Sequence, residues 1–307
     1  MINYPMTQVP TLKQLKYLCA VAEQQHFGRA AEACFVSQST LSAAILELED
    51  ILGVALLERD NKRVRLTAVG KDITARARQI LTATHDLVAA ACAAHAPFST
   101  EMRLGVIPTI APFVLPVVLK HIRKTYPDFK LFIREDLSAH LIQALHAGEL
   151  DVLLLALPYP GERLVTEHLF YDDLVVAYEK RYRLHDEDRL LVKDLKNKEL
   201  LLLEDGHCLR DHAMDACKIS TADVRIPYQA TSLNTIIQMV ANRIGITILP
   251  QMAVDAKMLR GTNVITRPFD EDNIRRSIGL MWRHKSPRQE EFQQLGQLIC
   301  HALGYDD

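Results

Sequence analysis

The sequence predicts a small all-α, winged helix-turn-helix segment, then a long linking helix, then a larger α/β remainder. Three patterns carry that prediction. Short apolar helices and a hairpin-like tail fill the chain up to Leu66, an unbroken helical pattern runs from Ala68 to Ala94, and afterwards short apolar strands alternate with helices. Composition fits ordinary globular material: 307 residues, 49% hydrophobic and 24% charged, with 12 Gly and 13 Pro, which excludes collagen, low-complexity disorder and a disulfide miniprotein. A chain of this length makes roughly two or three domains.

Leu12, Leu15, Leu18 and Ala22 share one helical face, and Arg29 to Cys34 forms a second, Ala-rich helix. Ser37 stands as an N-cap before a third stripe, Leu41, Ile45, Leu48 and Leu52, which Gly53 ends. Two short helices joined by a tight turn, the second opening on small polar residues, make a helix-turn-helix. Ala55 to Thr67 then supplies two extended pieces around Asp60 and Asn61, a wing. The long helix carries Ile73, Ala77, Ile80, Thr84, Leu87 and Ala91 in four-three alternation, a heptad seam that predicts pairing with a second copy; the competing reading is a lone amphipathic helix packed on its own domain. Pro97 to Thr100 reads as a hinge. Strands at Arg103 to Ile107, Lys130 to Ile133, Asp151 to Leu157, Leu200 to Leu203, Gly245 to Leu249 and Ile278 to Trp282, with helices between, predict parallel sheets.

Charge is nearly balanced, 36 Lys and Arg against 38 Asp and Glu, so the total gives no case for a nucleic-acid partner. The distribution does: Arg59, Lys62, Arg63, Arg65, Lys71, Arg76 and Arg78 gather against only Asp60 and Asp72, a basic patch beside the helix-turn-helix. The longest apolar runs, such as Leu150 to Pro158, are about half of a membrane helix, and Met1 to Thr11 lacks a secretory pattern, so the expectation is a cytoplasmic chain that does not span a bilayer. Cysteines there rest reduced, and Cys19, Cys34 and Cys92, among Ala, Val and Leu, read as small buried thiols.

The run from His26 to Arg59 resembles the N-terminal domain of LysR-type transcriptional regulators. The likeness rests on the Phe27, Ala30, Ala31 cluster, Val36-Ser37-Gln38, Leu41-Ser42, Leu48-Glu49 and Leu56-Leu57-Glu58-Arg59, followed by Thr67 and Gly70. It implies residues 1–67 as the DNA-binding domain, 68–96 as a dimerising linker helix, and 97–307 as a regulatory domain of two Rossmann-like subdomains, similar to periplasmic binding proteins. Subdomain I would take about 101–170 and 268–307, subdomain II about 171–267. Promoter DNA, RNA polymerase and a homodimer or homotetramer are the implied partners, and an enzyme activity is not. Gln38, Ser39, Thr40 and Ser42 would then meet base edges in the major groove. The family often has Pro at the position of Ser39 and a basic residue near Ile45 or Leu46. Since Gln38 to Glu58 lacks Lys and Arg here, phosphate contact falls to Arg59, Lys62, Arg63 and Arg65, with Arg29 and Lys13 helping.

Leu203 to Cys217, LEDGHCLRDHAMDAC, closely resembles the redox loop of the peroxide-sensing members of that family, as do Ile107-Pro108-Thr109 and Ala230 to Leu233. That resemblance implies hydrogen peroxide as the signal, Cys208 as the peroxidatic and Cys217 as the resolving cysteine, a thiol reductant such as glutaredoxin or thioredoxin, and peroxide held by Thr109, Ser138, His207 and Arg276. Ser138 stands where Thr is common and keeps the hydroxyl. A thiol at a helix N-terminus near cations, Arg210 in sequence and Arg275 or Arg276 from afar, ionises more readily. If the two cysteines bracket one helix, their Cα atoms lie about 13 Å apart on opposite faces, against about 4.4 to 6.8 Å for a disulfide. Closing the bond must then unwind the segment. Two other classes compete: a regulator sensing a metabolite between its subdomains, with Thr109 and Ser138 binding an organic anion, and a thiol peroxidase with an appended DNA-binding domain. No cofactor or metal is implied, since His207, Cys208, His212 and Cys217 match no common zinc spacing.

Overall fold

The computed structural model of the chain describes residues 9–60, 63–93, 97–182, 190–219, 224–226 and 228–305. They divide into two compact units, Met1–Ala91 and Cys92–Asp307.

In the first unit, α1 (Leu12–Gln24), α2 (Phe27–Ala33) and α3 (Gln38–Leu52) each begin on a side chain that satisfies the free amides of the first turn. Thr11 and Gln14 form a capping box, His26 Nδ1 accepts from the Gly28 and Arg29 amides, and the Ser37 hydroxyl accepts from Thr40 N–H at 3.1 Å. Leu15, Leu18, Val21, Ala30, Ala31, Leu41, Ile45 and Leu48 close the core, while Leu12, at the first residue of its helix, stays exposed. β1 (Leu57–Asp60) and β2 (Arg63–Leu66) pair antiparallel as the wing. Glu49 Oε1 accepts from the amides of Leu56 and Leu57 at 2.7 and 3.1 Å, tying the wing to α3.

The helix α4 (Ala68–Ala93) starts against that tie. The Thr67 hydroxyl donates to Ala55 O and accepts from Gly70 N–H. A Cβ on Gly70 would stand 2.0 Å from Leu56 O, so the close approach demands glycine. Ala77 is buried and Ile73 and Leu81 pack on the same core, whereas Ile80, Leu87 and Val88 are exposed. The first part of the heptad seam thus serves its own unit, as the lone-helix reading has it, and the later part is left open. Cys19 and Cys34 are half-buried rather than buried, at the margin of a small core; the side chain of Cys92 lies outside the described residues.

The second unit is built on one nine-stranded sheet. Its elements in order are β3 (Met102–Val106), α5 (Ala111–Thr125), β4 (Leu131–Glu135), α6 (Ser138–His146), β5 (Val152–Leu157), β6 (Leu164–Glu179), β7 (Leu200–Leu203), α7 (Cys208–Ala216), β8 (Gln229–Ala230), α8 (Leu233–Ala241), β9 (Ile246–Pro250), α9 (Gln251–Asp255), β10 (Val264–Pro268), β11 (Arg275–Arg283) and α10 (Gln289–Leu303). The strand order is β4-β3-β5-β11-β6-β9-β7-β8, with β10 also on β6.

The sheet is mixed, which corrects the expectation of parallel sheets. β3 pairs parallel with β4 and β5, and β7 with β8 and β9, but β11 and β6 run antiparallel to their neighbours. The strand β6, absent from the sequence reading, pairs with β11 as far as Asp173 and from Leu174 with β9, β10 joining from Val175. Its first ten residues alternate with exposed polar side chains and its last six are buried. One apolar core gathers Leu104, Val106, Leu154, Ala156, Ile278, Trp282 and Phe292 with α5, α6 and α10; a second gathers Val176, Leu201, Leu202, Ile236, Ile237 and Leu249 with α7 and α8.

The hinge expected at Pro97 to Thr100 is anchored instead. Phe98 is 4% exposed, packs on Tyr126 and Phe129 at 4.8 Å, and donates its N–H to Glu291 Oε1 at 2.9 Å. Glu291 in turn holds Arg288 Nε at 2.6 Å.

Gly279 lies at the register shift between β11 and β6, where a Cβ would meet Glu167 O at 2.2 Å and Leu157 Cδ1 at 2.4 Å. Gly279→Ala should therefore lower the stability of this unit by about 1–3 kcal/mol through overpacking. Urea unfolding followed by the fluorescence of Trp282, the one tryptophan of the chain, reads the loss; an unchanged midpoint would show that the strands part without cost.

Candidate functional site

The helix-turn-helix presents Gln38, Ser39 and Thr40 exposed on the first turn of α3, with Ser42 half-buried. The Ser37 hydroxyl lies 2.9 Å from that of Ser39 and 2.8 Å from that of Thr40, so these side chains form one hydrogen-bonded group at the helix start. The amide end of Gln38 lies near Gly28 of α2, where a Cβ on that glycine would meet Gln38 Oε1 at 3.5 Å, and the amides and dipole of α3 favour phosphate. In the wing, Arg65 is exposed; the side chains of Arg59 and Arg63, and Lys62 as a whole, lie outside the described residues. Arg29 is exposed but donates to Gln24 O at 2.9 Å.

A second site lies in the α/β unit, where Thr109, Ser138 and Cys208 meet. Each stands at the start of a helix that follows a parallel strand: Thr109 just before α5, Ser138 first in α6, Cys208 first in α7. None of the three helices has a side-chain cap; in α5 the first amides bond Ile107 O and Ile110 O and Pro112 has none, whereas α6 and α7 turn uncapped first turns and positive dipole ends toward the place where the strands end. Across them lies Arg276 on β11, wholly buried. Its Nε donates to Asp172 Oδ2 at 2.9 Å, Nη1 to Thr109 Oγ1 at 2.9 Å and Nη2 to Thr109 O at 2.9 Å, with Met252 Sδ at 3.5 Å from Nη2. Asp172 is the direct cross-strand partner of Arg276, and its other oxygen accepts from Met252 N–H. Of the five guanidinium protons, one on Nη1 remains for an incoming group.

Cys208 is buried in the first core, against the backbone of Ala156 and the Ser138 hydroxyl. Ser138 Oγ is itself buried and makes no other hydrogen bond. The expectation that Cys208 ionises readily is overturned: burial pushes its pKa above the ordinary thiol value, outweighing Ser138, Arg276 and Ala156, all of which favour the thiolate. The resting residue is a protonated thiol. His207, 7% exposed, caps no amide of α7, and burial lowers its pKa ahead of the opposing effect of Glu204.

Cys217 ends α7 and is buried in the second core, where desolvation and then Glu271 push its pKa up to about 12. Both thiols are free. Between them Leu209 and Ala213 are buried, as the spacing predicts, and Met214 and Ala216 half-buried. Of the cations considered, Arg276 alone faces Cys208: Arg210 pairs with Asp205, and Arg275 stacks on Tyr171 at 3.9 Å. Sequence reasoning missed Asp172 and Tyr159, the latter lying near Cys208 and Asp211, and weighed His212 only as a metal ligand. Among the described residues no three His, Cys, Asp or Glu side chains come together to hold a metal, and no helix is long and apolar enough to cross a membrane.

A winged helix-turn-helix joined to an α/β unit with two cores and a polar site between strand ends defines a DNA-binding regulator. Residues 12–71 match the bacterial regulatory helix-turn-helix of the lysR family, and residues 95–303 the LysR substrate binding domain. The chain belongs to the LysR family of transcriptional regulators, which are not enzymes. It is 38% identical to the HTH-type transcriptional regulator EstR of Acinetobacter baylyi, over 96% of this chain and 97% of that one. It is 39% identical to a probable hydrogen peroxide-inducible genes activator of Streptomyces viridosporus, over 96% and 95%. A solved hydrogen-peroxide-bound OxyR mutant of Corynebacterium glutamicum superposes with a TM-score of 0.67 at 33% identity, over 97% of this chain and 94% of the other. The chain is thus an OxyR-like member of its family.

On DNA, Gln38→Ala should relax sequence preference with little change in salt dependence, whereas Arg65→Ala should weaken binding uniformly and reduce the salt slope by about 1. Titrations on matched and scrambled sites at several salt concentrations separate the two. An Arg65→Ala slope equal to that of the unsubstituted chain would remove the wing from phosphate contact.

Proposed function

We propose that this regulator senses hydrogen peroxide through Cys208 and that a Cys208–Cys217 disulfide then remodels α7. One observation carries the reading: two free thiols end a single helix of nine residues and are buried in different cores. The helix puts their Cα atoms about 13 Å apart on opposite faces, so a bond of about 4.4 to 6.8 Å needs the helix to open. The names of the Streptomyces relative and of the peroxide-bound Corynebacterium structure support the same signal.

The chemistry balances without a cofactor. The Cys208 thiol gives up its proton, the thiolate attacks one peroxide oxygen, the O–O bond breaks, and the leaving hydroxide takes up that proton, so sulfenic acid and water form. The Cys217 thiol then displaces water from the sulfenic sulfur to give the disulfide, and a cytoplasmic thiol reductant of the glutaredoxin or thioredoxin class restores both thiols. Thr109, Ser138, His207 and Arg276 hold the peroxide. A change in α7 displaces side chains in both cores and so reaches subunit arrangement and DNA spacing. The exposed Ile80, Leu87 and Val88 of α4 support pairing with a second copy, in a dimer or a tetramer on promoter DNA with RNA polymerase beside it.

Peptide mapping after treatment with one equivalent of peroxide should recover a Cys208–Cys217 bridge. Cys208→Ser should abolish peroxide consumption by the protein, and Cys217→Ser should leave sulfenic acid at residue 208. Unmodified Cys208 under these conditions would instead favour a metabolite sensor using the same cleft.

A further inference from the structure

His212 has a position in this site that the roles above leave unused. It follows Cys208 by one turn on the same face of α7, a separation of about 5–6 Å between Cβ atoms. The helix lies along the end of β5 so that Cys208 meets Ala156 and His212 meets Pro158, two residues on. His212 Nε2 is 3.2 Å from Pro158 O, a carbonyl that can only accept, so Nε2 carries the proton. Nδ1 is then a bare lone pair. It is fully buried and has no hydrogen-bond partner, the kind of orphan that a buried site keeps for a ligand or a proton.

We propose that His212 accepts the thiol proton of Cys208 through the bound peroxide and returns it to the departing oxygen. The inference rests on the peroxide-sensing reading above. It answers a need that site has: Cys208 begins as a buried thiol, yet only the thiolate attacks peroxide. The S–H proton passes to the peroxide as a peroxide O–H proton passes to Nδ1. The sulfur lone pair then forms the S–O bond as the O–O bond breaks, and the leaving hydroxide takes the proton back from Nδ1. Thiol and peroxide give sulfenic acid and water, and His212 ends as it began. No hydrogen bond joins Sγ to Nδ1 directly, so the peroxide molecule bridges them.

The charges around His212 fit an acceptor that is neutral near pH 7. Burial lowers its pKa first, and Arg276 on β11 adds to that; the Pro158 carbonyl, Asp211 and Asp215 oppose it. Tyr159, after β5, faces Cys208 and Asp211. The strand β7, also against α7, brings only Leu200 to Leu203.

The test is the rate of Cys208 thiol loss with hydrogen peroxide, measured on the reduced full-length chain between pH 5 and 9. The rate in the unsubstituted chain should fall as pH drops through a break below 6.5, the ordinary value of an imidazole, because a protonated Nδ1 accepts nothing. His212→Gln keeps a donor for Pro158 O but has no titrating nitrogen. It should slow the reaction at neutral pH by about a hundredfold and remove the acid break. A His212→Gln variant that matches the unsubstituted chain in rate and pH profile would overturn the role. Should the variant not fold, nitrogen-15 NMR of the unsubstituted chain decides: an unprotonated Nδ1 at pH 7 supports the assignment and a protonated one refutes it. If Cys208 of the unsubstituted chain does not react at all, the peroxide-sensing reading itself fails, an outcome distinct from failure of the histidine alone.

Discussion

A nine-residue helix, α7, with its two ends sunk in different hydrophobic cores is the constraint on which the regulatory unit depends. Cys208 belongs with Val106, Ala156 and Ile278, whereas Cys217 belongs with Leu202, Ala213 and Val240. Side chains in packed cores occupy discrete arrangements, so such a helix cannot stretch by degrees. Withdrawing one apolar side chain from a core costs about 1.5–3 kcal/mol. A covalent bond between the two ends, formed irreversibly on the timescale of the chemistry, can meet that cost where a weak ligand cannot.

The site at the helix start opposes two tendencies. Apolar burial keeps Cys208 protonated, while Arg276, Ser138 and the uncapped amides of α6 and α7 are arranged to receive negative charge. A thiol in water would react with many oxidants; a buried one reacts where charge is stabilised as it develops. Arg276 is fixed by Asp172 and by both oxygens of Thr109, so in the proposed reaction little reorganisation would be left to it. The same ion pair joins β6 to β11 near the point where β6 turns from one core to the other.

Much of this was legible in the chain. Ser37 and Gly53 bound α3 because an N-cap and a left-handed C-cap are written in residue type, and Asp151 to Leu157 reads as a buried strand because every residue after Asp151 is apolar. The strand β6 was not, since Glu167, His168, Asp172 and Asp173 interrupt its pattern and one of them is the hidden partner of Arg276. That pair joins residues far apart in sequence and depends on strand register, which no local pattern fixes. The ionisation of Cys208 was read with the wrong sign for a similar reason: a helix start is visible in sequence, but depth beneath a sheet is not. Cys19 and Cys34 were read as buried because apolar neighbours do not tell the middle of a small core from its edge.

Hydrogen exchange of the backbone amides of α7, compared between the reduced chain and the chain after peroxide, tests this account most directly. Protection across Leu209 to Cys217 should collapse on oxidation, while β5 and β11 keep theirs. A bridged Cys208 and Cys217 with α7 still as protected as before would contradict it, for the sulfurs would then have met without the helix giving way.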